Sequence, residues 1–191
     1  MNNPLRRYVQ KYIELPRLKN SCDLPEGKTV LEIGCGNGYG TKLIKKNFSV
    51  KEIYAIDLDA RMIALAKQEN TDQTIHFEVG DVVNLPYPDN FFDAVFDFGI
   101  IHHIPNWKKC LDELHRVMKP GGLLILEDLS IETFSTPFGK VMKRLLDHPY
   151  TEMFTRKEFI TYLETSGFSI KEKKTYYPLF SIQYFIIIAQ K

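Results

Sequence analysis

A doubly wound α/β domain with a mostly parallel sheet is the fold class this sequence predicts. Three observations carry that expectation. Apolar strand-like runs alternate with amphipathic helical segments from Thr29 to Leu126. The run Leu123-Leu124-Ile125-Leu126 is apolar on both faces, as a strand covered by helices on both sides must be. After Gly167 two further strand-like runs, Phe168 to Tyr176 and Ile182 to Ala189, are joined by a short turn around Pro178. No helix fits between them, so they pair as an antiparallel terminal hairpin. The 191 residues suit one domain with a single large core.

Taken in order, the elements begin with a helical segment in residues 1–27. Leu5, Tyr8, Val9, Tyr12 and Ile13 share one face at helical spacing, and that face is expected to pack on the domain. Asn3 suits the cap, Pro4 the first turn, and Pro16 is expected to end or kink the helix. Thr29 to Ile33 reads as a buried strand running into Gly34-Cys35-Gly36-Asn37-Gly38, and Tyr39 to Asn47 as the helix after it. Ile53 to Ile56 is a second strand ending in Asp57. Asp59 then caps a helix with Met62, Ile63, Leu65 and Ala66 facing in. Ile75 to Val79 is a third strand and Phe92 to Phe96 a fourth. Trp107, Leu111, Leu114 and Met118 mark the next helix, with Pro120-Gly121-Gly122 as its stop. Residues 130–155 form an insertion with a helix expected near 140–146, a candidate cover for a substrate. Thr155-Arg156-Lys157-Glu158 is a capping box that starts a last helix.

Composition excludes little but is informative. Lys and Arg total 25 against 24 Asp and Glu, a net charge of +1, so nothing pulls the chain globally toward nucleic acid or an anionic membrane. The densest basic stretch, Lys171 to Lys174, fits a solvated strand edge. Cys22, Cys35 and Cys110 are scattered, without zinc-ligand spacing, and suit a reducing compartment. Arg6 and Arg7 are not followed by an apolar signal-peptide core, and the apolar run from Tyr184 to Ala189 is too short to cross a bilayer. A cytoplasmic protein with no membrane span is the expectation.

Ligands of such a sheet sit at the carboxyl ends of the strands. Four segments meet there. The glycines at 34, 36 and 38 let a ligand approach the backbone, and the following helix offers unpaired N–H groups to an anion. Asp57 at the end of strand two can accept from both hydroxyls of a ribose. The competing role, capping the next helix, falls better to Asp59. Asp81, after Gly80, can accept from the exocyclic amine of an adenine, and the Val82 N–H can donate to a ring nitrogen. The carbonyls of Phe98 and Gly99 can accept from an amino group.

These segments resemble class I S-adenosylmethionine (SAM)-dependent methyltransferases. Val30 to Gly38 is similar to their first motif, Ala55 to Asp59 to the second, and Gly80-Asp81-Val82 with Leu85-Pro86-Tyr87 and Phe92 to Val95 to the third. Glu113 to Gly122 resembles the lead into strand five, and the nearest subgroup includes quinone-biosynthesis and other small-molecule enzymes. The resemblance implies a Rossmann-like sheet of seven strands, with the last antiparallel, and SAM as cofactor with S-adenosylhomocysteine as product. It implies a cofactor site of Glu32, Gly34, Cys35, Gly36, Asn37, Gly38, Asp57, Leu58, Met62, Asp81, Val82, Phe98 and Gly99, with Glu32 acting indirectly through loop order. No metal is expected, because a sulfonium methyl is already activated and the protein's task is alignment.

A nucleophile that must lose a proton needs a base, and His102 and His103 are the candidates. Ordering of their loop is the alternative role. Glu127 and Asp128 end strand five and point the same way, with loop hydrogen bonding as an equal explanation. Phe134, Phe138, Met142, Tyr150, Tyr176, Tyr177 and Phe180 are candidate walls of an apolar acceptor pocket, or simply packing residues. Tyr8 and Tyr12 are expected in the core rather than over the cofactor. The partner is thus a small acceptor, apolar or aromatic. Two other functions compete: a non-catalytic SAM-binding or regulatory protein, and a nicotinamide-dependent oxidoreductase. The second is disfavoured because Tyr39 stands where the dinucleotide fingerprint needs glycine.

Overall fold

A computed structural model describes residues 4–135, 139–141, 152–177 and 183–191. Seven strands form one sheet: β1 (Thr29–Ile33), β2 (Glu52–Asp57), β3 (Ile75–Val79), β4 (Phe92–Phe98), β5 (Met118–Leu129), β6 (Ser169–Tyr176) and β7 (Tyr184–Gln190). Their spatial order is β3-β2-β1-β4-β5-β7-β6. Strands β1 to β5 are parallel, and β7 runs antiparallel to both its neighbours. The expected doubly wound sheet with an antiparallel terminal hairpin is therefore present. The order reverses at β1, whose two neighbours are β2 and β4, so a crevice opens at the tips of these strands.

Period-two alternation sorts the core into two layers. Leu31, Ile33, Val95, Leu124 and Leu126 pack on α5 (Trp107–Val117) and α6 (Arg156–Thr165). Val30, Ile53, Ala94, Phe96 and Ile125 pack on α2 (Leu15–Ser21) and α3 (Tyr39–Asn47). Ala55 and Phe77 meet Ile63 and Ala66 of α4 (Ala60–Glu69). The Thr155–Glu158 capping box forms as expected, and Gly167, at φ 94°, follows the end of α6.

Five local expectations need correction. The N-terminal helix does not end at Pro16. It runs from α1 (Pro4–Val9) through a π-helical turn, Gln10–Glu14, into α2, with Pro16 in the first turn of α2. Proline has no N–H to give and clashes with the preceding turn of a regular helix, and the wider turn accommodates it. That turn also shifts the buried face. Val9, Glu14, Leu15 and Leu18 are buried, whereas Tyr8 and Tyr12 are 57% and 56% exposed, so the tyrosines are not core residues. Residues 139–141 are helical, at the start of the helix expected near 140–146; the rest of that helix, the side chain of Leu5, the cap at Asn3, Phe138, Met142, Tyr150, Pro178 and Phe180 lie outside the described residues. Leu65 of α4 is exposed, because Ile63 and Ala66 alone fill the contact with β2 and β3. Helix α5 ends at Val117 without a Pro-Gly stop, and Met118 opens β5, which passes through Pro120-Gly121-Gly122 with Gly121 at φ 79°. Finally, β4 extends to Phe98, two residues past expectation, which carries Asp97 and Phe98 to the strand tip.

Candidate active site

The glycine turn between β1 and α3 is built by positive φ at Gly34 (63°), Gly36 (55°) and Gly38 (79°). A Cβ at Gly34 would stand 2.5 Å from the Ile100 side chain, and one at Gly38 2.7 Å from the Phe77 ring. Both positions therefore exclude side chains by conformation and by space. Asp57 braces the turn from β2: its Oδ2 accepts the Gly36 N–H at 2.8 Å and its Oδ1 accepts the Asp59 N–H at 2.9 Å. Asp59, not Asp57, caps α4 by accepting the Arg61 N–H. Beside the turn lies a crevice of about 450 Å³ lined by Gly34, Asp57, Leu58, Gly80, Asp81, Val82, Val83, Ile100, His103, Ile104, Pro105 and Asn106. Leu58 stands 74% exposed on its rim. Asp81 turns its loop by accepting the Val83 N–H at 3.0 Å.

Five of the expected cofactor residues thus share one crevice wall: Gly34, Asp57, Leu58, Asp81 and Val82. The others stand around or behind it. Glu32 is buried beneath the turn and bonded to the Thr41 hydroxyl, and burial pushes its carboxyl up to about 8. Cys35 packs with Ala55, Ile63 and Phe77, and Asn37 is buried. Gly36 and Gly38 form the turn itself. Met62 is half-buried on α4 and does not line the crevice. Phe98 and Gly99 lie at the tip of β4, where the Phe98 carbonyl accepts from Arg6 Nη2 at 2.7 Å. Ile100 belongs to the segment Phe98 to His103 that the sequence places at the site, whereas sequence reasoning missed Val83, Ile104, Pro105 and Asn106. Val83 follows Val82 and the other three continue the loop that holds the histidines, and that adjacency was the available signal.

Residues 31–126 match the methyltransferase domain family. The chain belongs to that family. The cofactor of its S-adenosylmethionine-dependent members is SAM, and the family match separates this methyltransferase domain from nicotinamide-dependent oxidoreductases. A fatty-acid O-methyltransferase of Mycolicibacterium smegmatis is 35% identical, covering 54% of this chain and 38% of its own. A demethylmenaquinone methyltransferase of Staphylococcus epidermidis is 27% identical, covering 93% and 76%. An S-adenosylmethionine-dependent methyltransferase of Mesorhizobium loti shares the fold at 16% identity, with a TM-score of 0.77 over 92% of this chain and 96% of that one. This chain spans less than half the length of the fatty-acid enzyme.

The two histidines of this methyltransferase domain have different surroundings. His103 lines the crevice. His102 is buried, its Nδ1 bonded to Asp128 Oδ1 while its backbone N–H donates to Asp128 Oδ2 at 3.0 Å. Burial lowers its basicity to about 3 and raises Asp128 to about 8, so the pair resists charging at neutral pH. This geometry fits ordering of the β4 loop. Asp97 Oδ1 accepts the Ile100 N–H at 2.9 Å, but its buried Oδ2 meets no partner, and burial with Asp128 nearby raises it well above the usual carboxylate range. Phe134 is buried in a short 3₁₀ turn, Ile131–Ser135, while Tyr177 is exposed. Lys171 to Lys174 lie on the edge strand β6, as a solvated edge requires.

No helix of the described residues is long and apolar enough to cross a membrane.

Proposed function

We propose that this chain transfers the methyl group of S-adenosylmethionine to a small-molecule acceptor. The observation that carries the reading is Asp57. Each of its oxygens accepts one backbone N–H, which fixes the carboxylate at the crevice wall. A carboxylate offers about four lone-pair positions, so capacity remains for both hydroxyls of a ribose.

The surrounding residues suit the rest of the molecule. The crevice volume lies in the range of small-ligand sites, about 300–1,000 Å³. Asp81 and Val82 offer an acceptor and a donor for adenine, with Leu58, Ile100, Ile104 and Pro105 as apolar neighbours. The Gly34–Gly38 turn at the start of α3 suits the carboxylate of the methionine part. The Phe98 carbonyl and the unpartnered Asp97 Oδ2 suit its ammonium. When bound, SAM supplies a methyl carried by a positive sulfur. The protein's residues hold the two reactants in line and keep water out, which contributes on the order of 7–11 kcal/mol. Of the two histidines, His103 is the one positioned to touch a ligand, and His102 orders the loop. The names of the two relatives, one acting on a fatty acid and one on a menaquinone precursor, support a small acceptor.

Calorimetric titration with S-adenosylhomocysteine and with NADH tests the cofactor. Binding of the first and not the second is expected, and the reverse would overturn the reading.

A further inference from the structure

The charged side chains of this chain are unevenly placed. The N-terminal helix, from α1 through the π turn to α2, carries five Lys and Arg and one acid, Glu14, which is buried. Helix α3 beside it carries three lysines and no acid. Across the sheet, α5 and α6 carry five basic and four acidic residues between them. The whole chain is close to neutral, so one side concentrates a positive field that the total conceals.

An open groove of about 290 Å³ lies between the N-terminal helix and α3, lined by Lys11, Lys19 and Lys46, all exposed, and by the buried Leu15 and Leu43. Glu69 of α4 pairs with Arg7 and Lys42 at 3.9 and 3.7 Å. Lys11, Lys19 and Lys46 have no acidic side chain in ion-pair range among the described residues. Like charges gathered without a counter-charge favour an anionic partner. Tyr8 and Tyr12 add apolar surface to the same helix. The π turn leaves both more than half exposed, with their rings 4.9 Å apart and tilted at 43°. Lys11 stands over the Tyr12 ring at 4.8 Å. Ring faces used in this way offer little to a stacked nucleic-acid base. Tyrosine beside lysine on an exposed helix instead suits a membrane–water interface, with the ring at headgroup level.

We propose that the face formed by the N-terminal helix and α3 docks on an anionic lipid bilayer. Lys11, Lys19 and Lys46 meet lipid phosphates, and Tyr8 and Tyr12 enter the headgroup layer. The apolar contribution is limited to two rings, so the binding is peripheral and mainly electrostatic, and it weakens as salt screens the surface. The same helix reaches the candidate site, where Arg6 donates to the Phe98 carbonyl at 2.7 Å. Docking through this helix holds the tip of β4 near the bilayer, which suits an acceptor carried in the lipid. The docking goes beyond the methyl-transfer reading and does not depend on it.

The test is co-sedimentation of the full chain with vesicles of phosphatidylcholine alone and of phosphatidylcholine with about one-third phosphatidylglycerol. Binding is expected to the anionic vesicles only, and to fall steeply with added salt. Each lysine at an anionic surface is worth roughly fivefold in partitioning, so Lys11→Gln, Lys19→Gln and Lys46→Gln together should weaken it on the order of a hundredfold. The matched set across the sheet, Lys108→Gln, Lys109→Gln and Lys157→Gln, should leave it near wild type. Tyr8→Gln with Tyr12→Gln should weaken binding severalfold without changing its salt dependence. All these side chains are exposed, so Tm of each variant should stay near wild type. No binding to anionic vesicles, equal binding to neutral ones, or equal losses in the two lysine sets would each overturn the proposal. So would tighter binding to an oligothymidylate than to the anionic vesicles, which would mark the face as a nucleic-acid surface.

Discussion

The crevice at the tips of β1 to β3 and the cluster at the tips of β4 and β5 are both polar, yet they are built differently. In the crevice the polar side chains already serve the backbone. Asp57 braces Gly36 and Asp59, and Asp81 turns its own loop. These carboxylates are half-exposed or exposed and keep capacity for a ligand. Under the N-terminal helix and at the β4–β5 tips the carboxylates are buried, and Glu14, Asp97 and Glu127 each leave an oxygen unpaired. The first arrangement is a preformed cradle that needs its ligand little for its own stability. The second is a buried interior in which burial holds Asp97 and Glu127 well above the usual carboxylate range.

Breaking the β4–β5 side should have the largest effect on stability. His102→Ala takes the imidazole from the buried Asp128, which keeps only backbone N–H donors, and losing a buried hydrogen-bond partner costs about 1–3 kcal/mol. Denaturant unfolding should show that loss, whereas His103→Ala, at the crevice wall, should leave unfolding unchanged and lower ligand affinity or turnover instead. Equal destabilisation by both would erase the distinction between them.

On the crevice side the effect should fall on binding. Asp57→Ala removes two bonds to a charged group from the proposed ribose site, each worth about 1.5–3 kcal/mol, and loosens the glycine turn. Calorimetry should find S-adenosylhomocysteine weakened by about 3 kcal/mol or more. Unchanged affinity would remove Asp57 from the site.

Glu32 sharpens the comparison through pH. Its carboxyl is raised from 4.5 to about 8 by burial, so the folded chain holds this proton more tightly than the unfolded chain. Its contribution is fully present below pH 4.5 and is lost as pH rises toward 8. Glu32→Gln, which stays uncharged and keeps a partner for Thr41, should match wild type in Tm at pH 5 and exceed it at pH 8.5. A difference in Tm that does not vary with pH would contradict the assignment.

The smallest effect belongs to Leu58. It is exposed on the crevice rim, and truncation to Ala should weaken S-adenosylhomocysteine by about 1 kcal/mol, the scale of one or two methyl groups covered by a ligand. Tm in the absence of ligand should not move.

The two regions also differ in how far the sequence reveals them. The alternation from Thr29 to Leu126 gave the sheet, and each crevice group sits within a few residues of a strand end, so Asp57, Asp81 and the glycine turn could be picked out by position along the chain. Glu127 could be picked out in the same way at the end of strand five, but Glu14 and Asp97 could not: Glu14 is turned inward by the π-helical turn, and Asp97 reaches the tip only because β4 runs two residues longer than its apolar pattern. Tyr8 and Tyr12 were misread because helical periodicity assumes 3.6 residues per turn, and the π turn at Gln10–Glu14 rotates the face. His102 and His103 look alike in sequence, and burial against Asp128 is what separates them. Leu65 shows a smaller limit: a helix packed on only two strands needs a narrower apolar stripe than the sequence offers.

The most direct measurement of the central claim is a crystal structure of the full chain with S-adenosylhomocysteine. The account predicts the nucleoside in the crevice, with both ribose hydroxyls on Asp57 and the adenine edge at Asp81 and Val82. A ligand bound elsewhere, or a crevice left empty at saturating ligand, would contradict it.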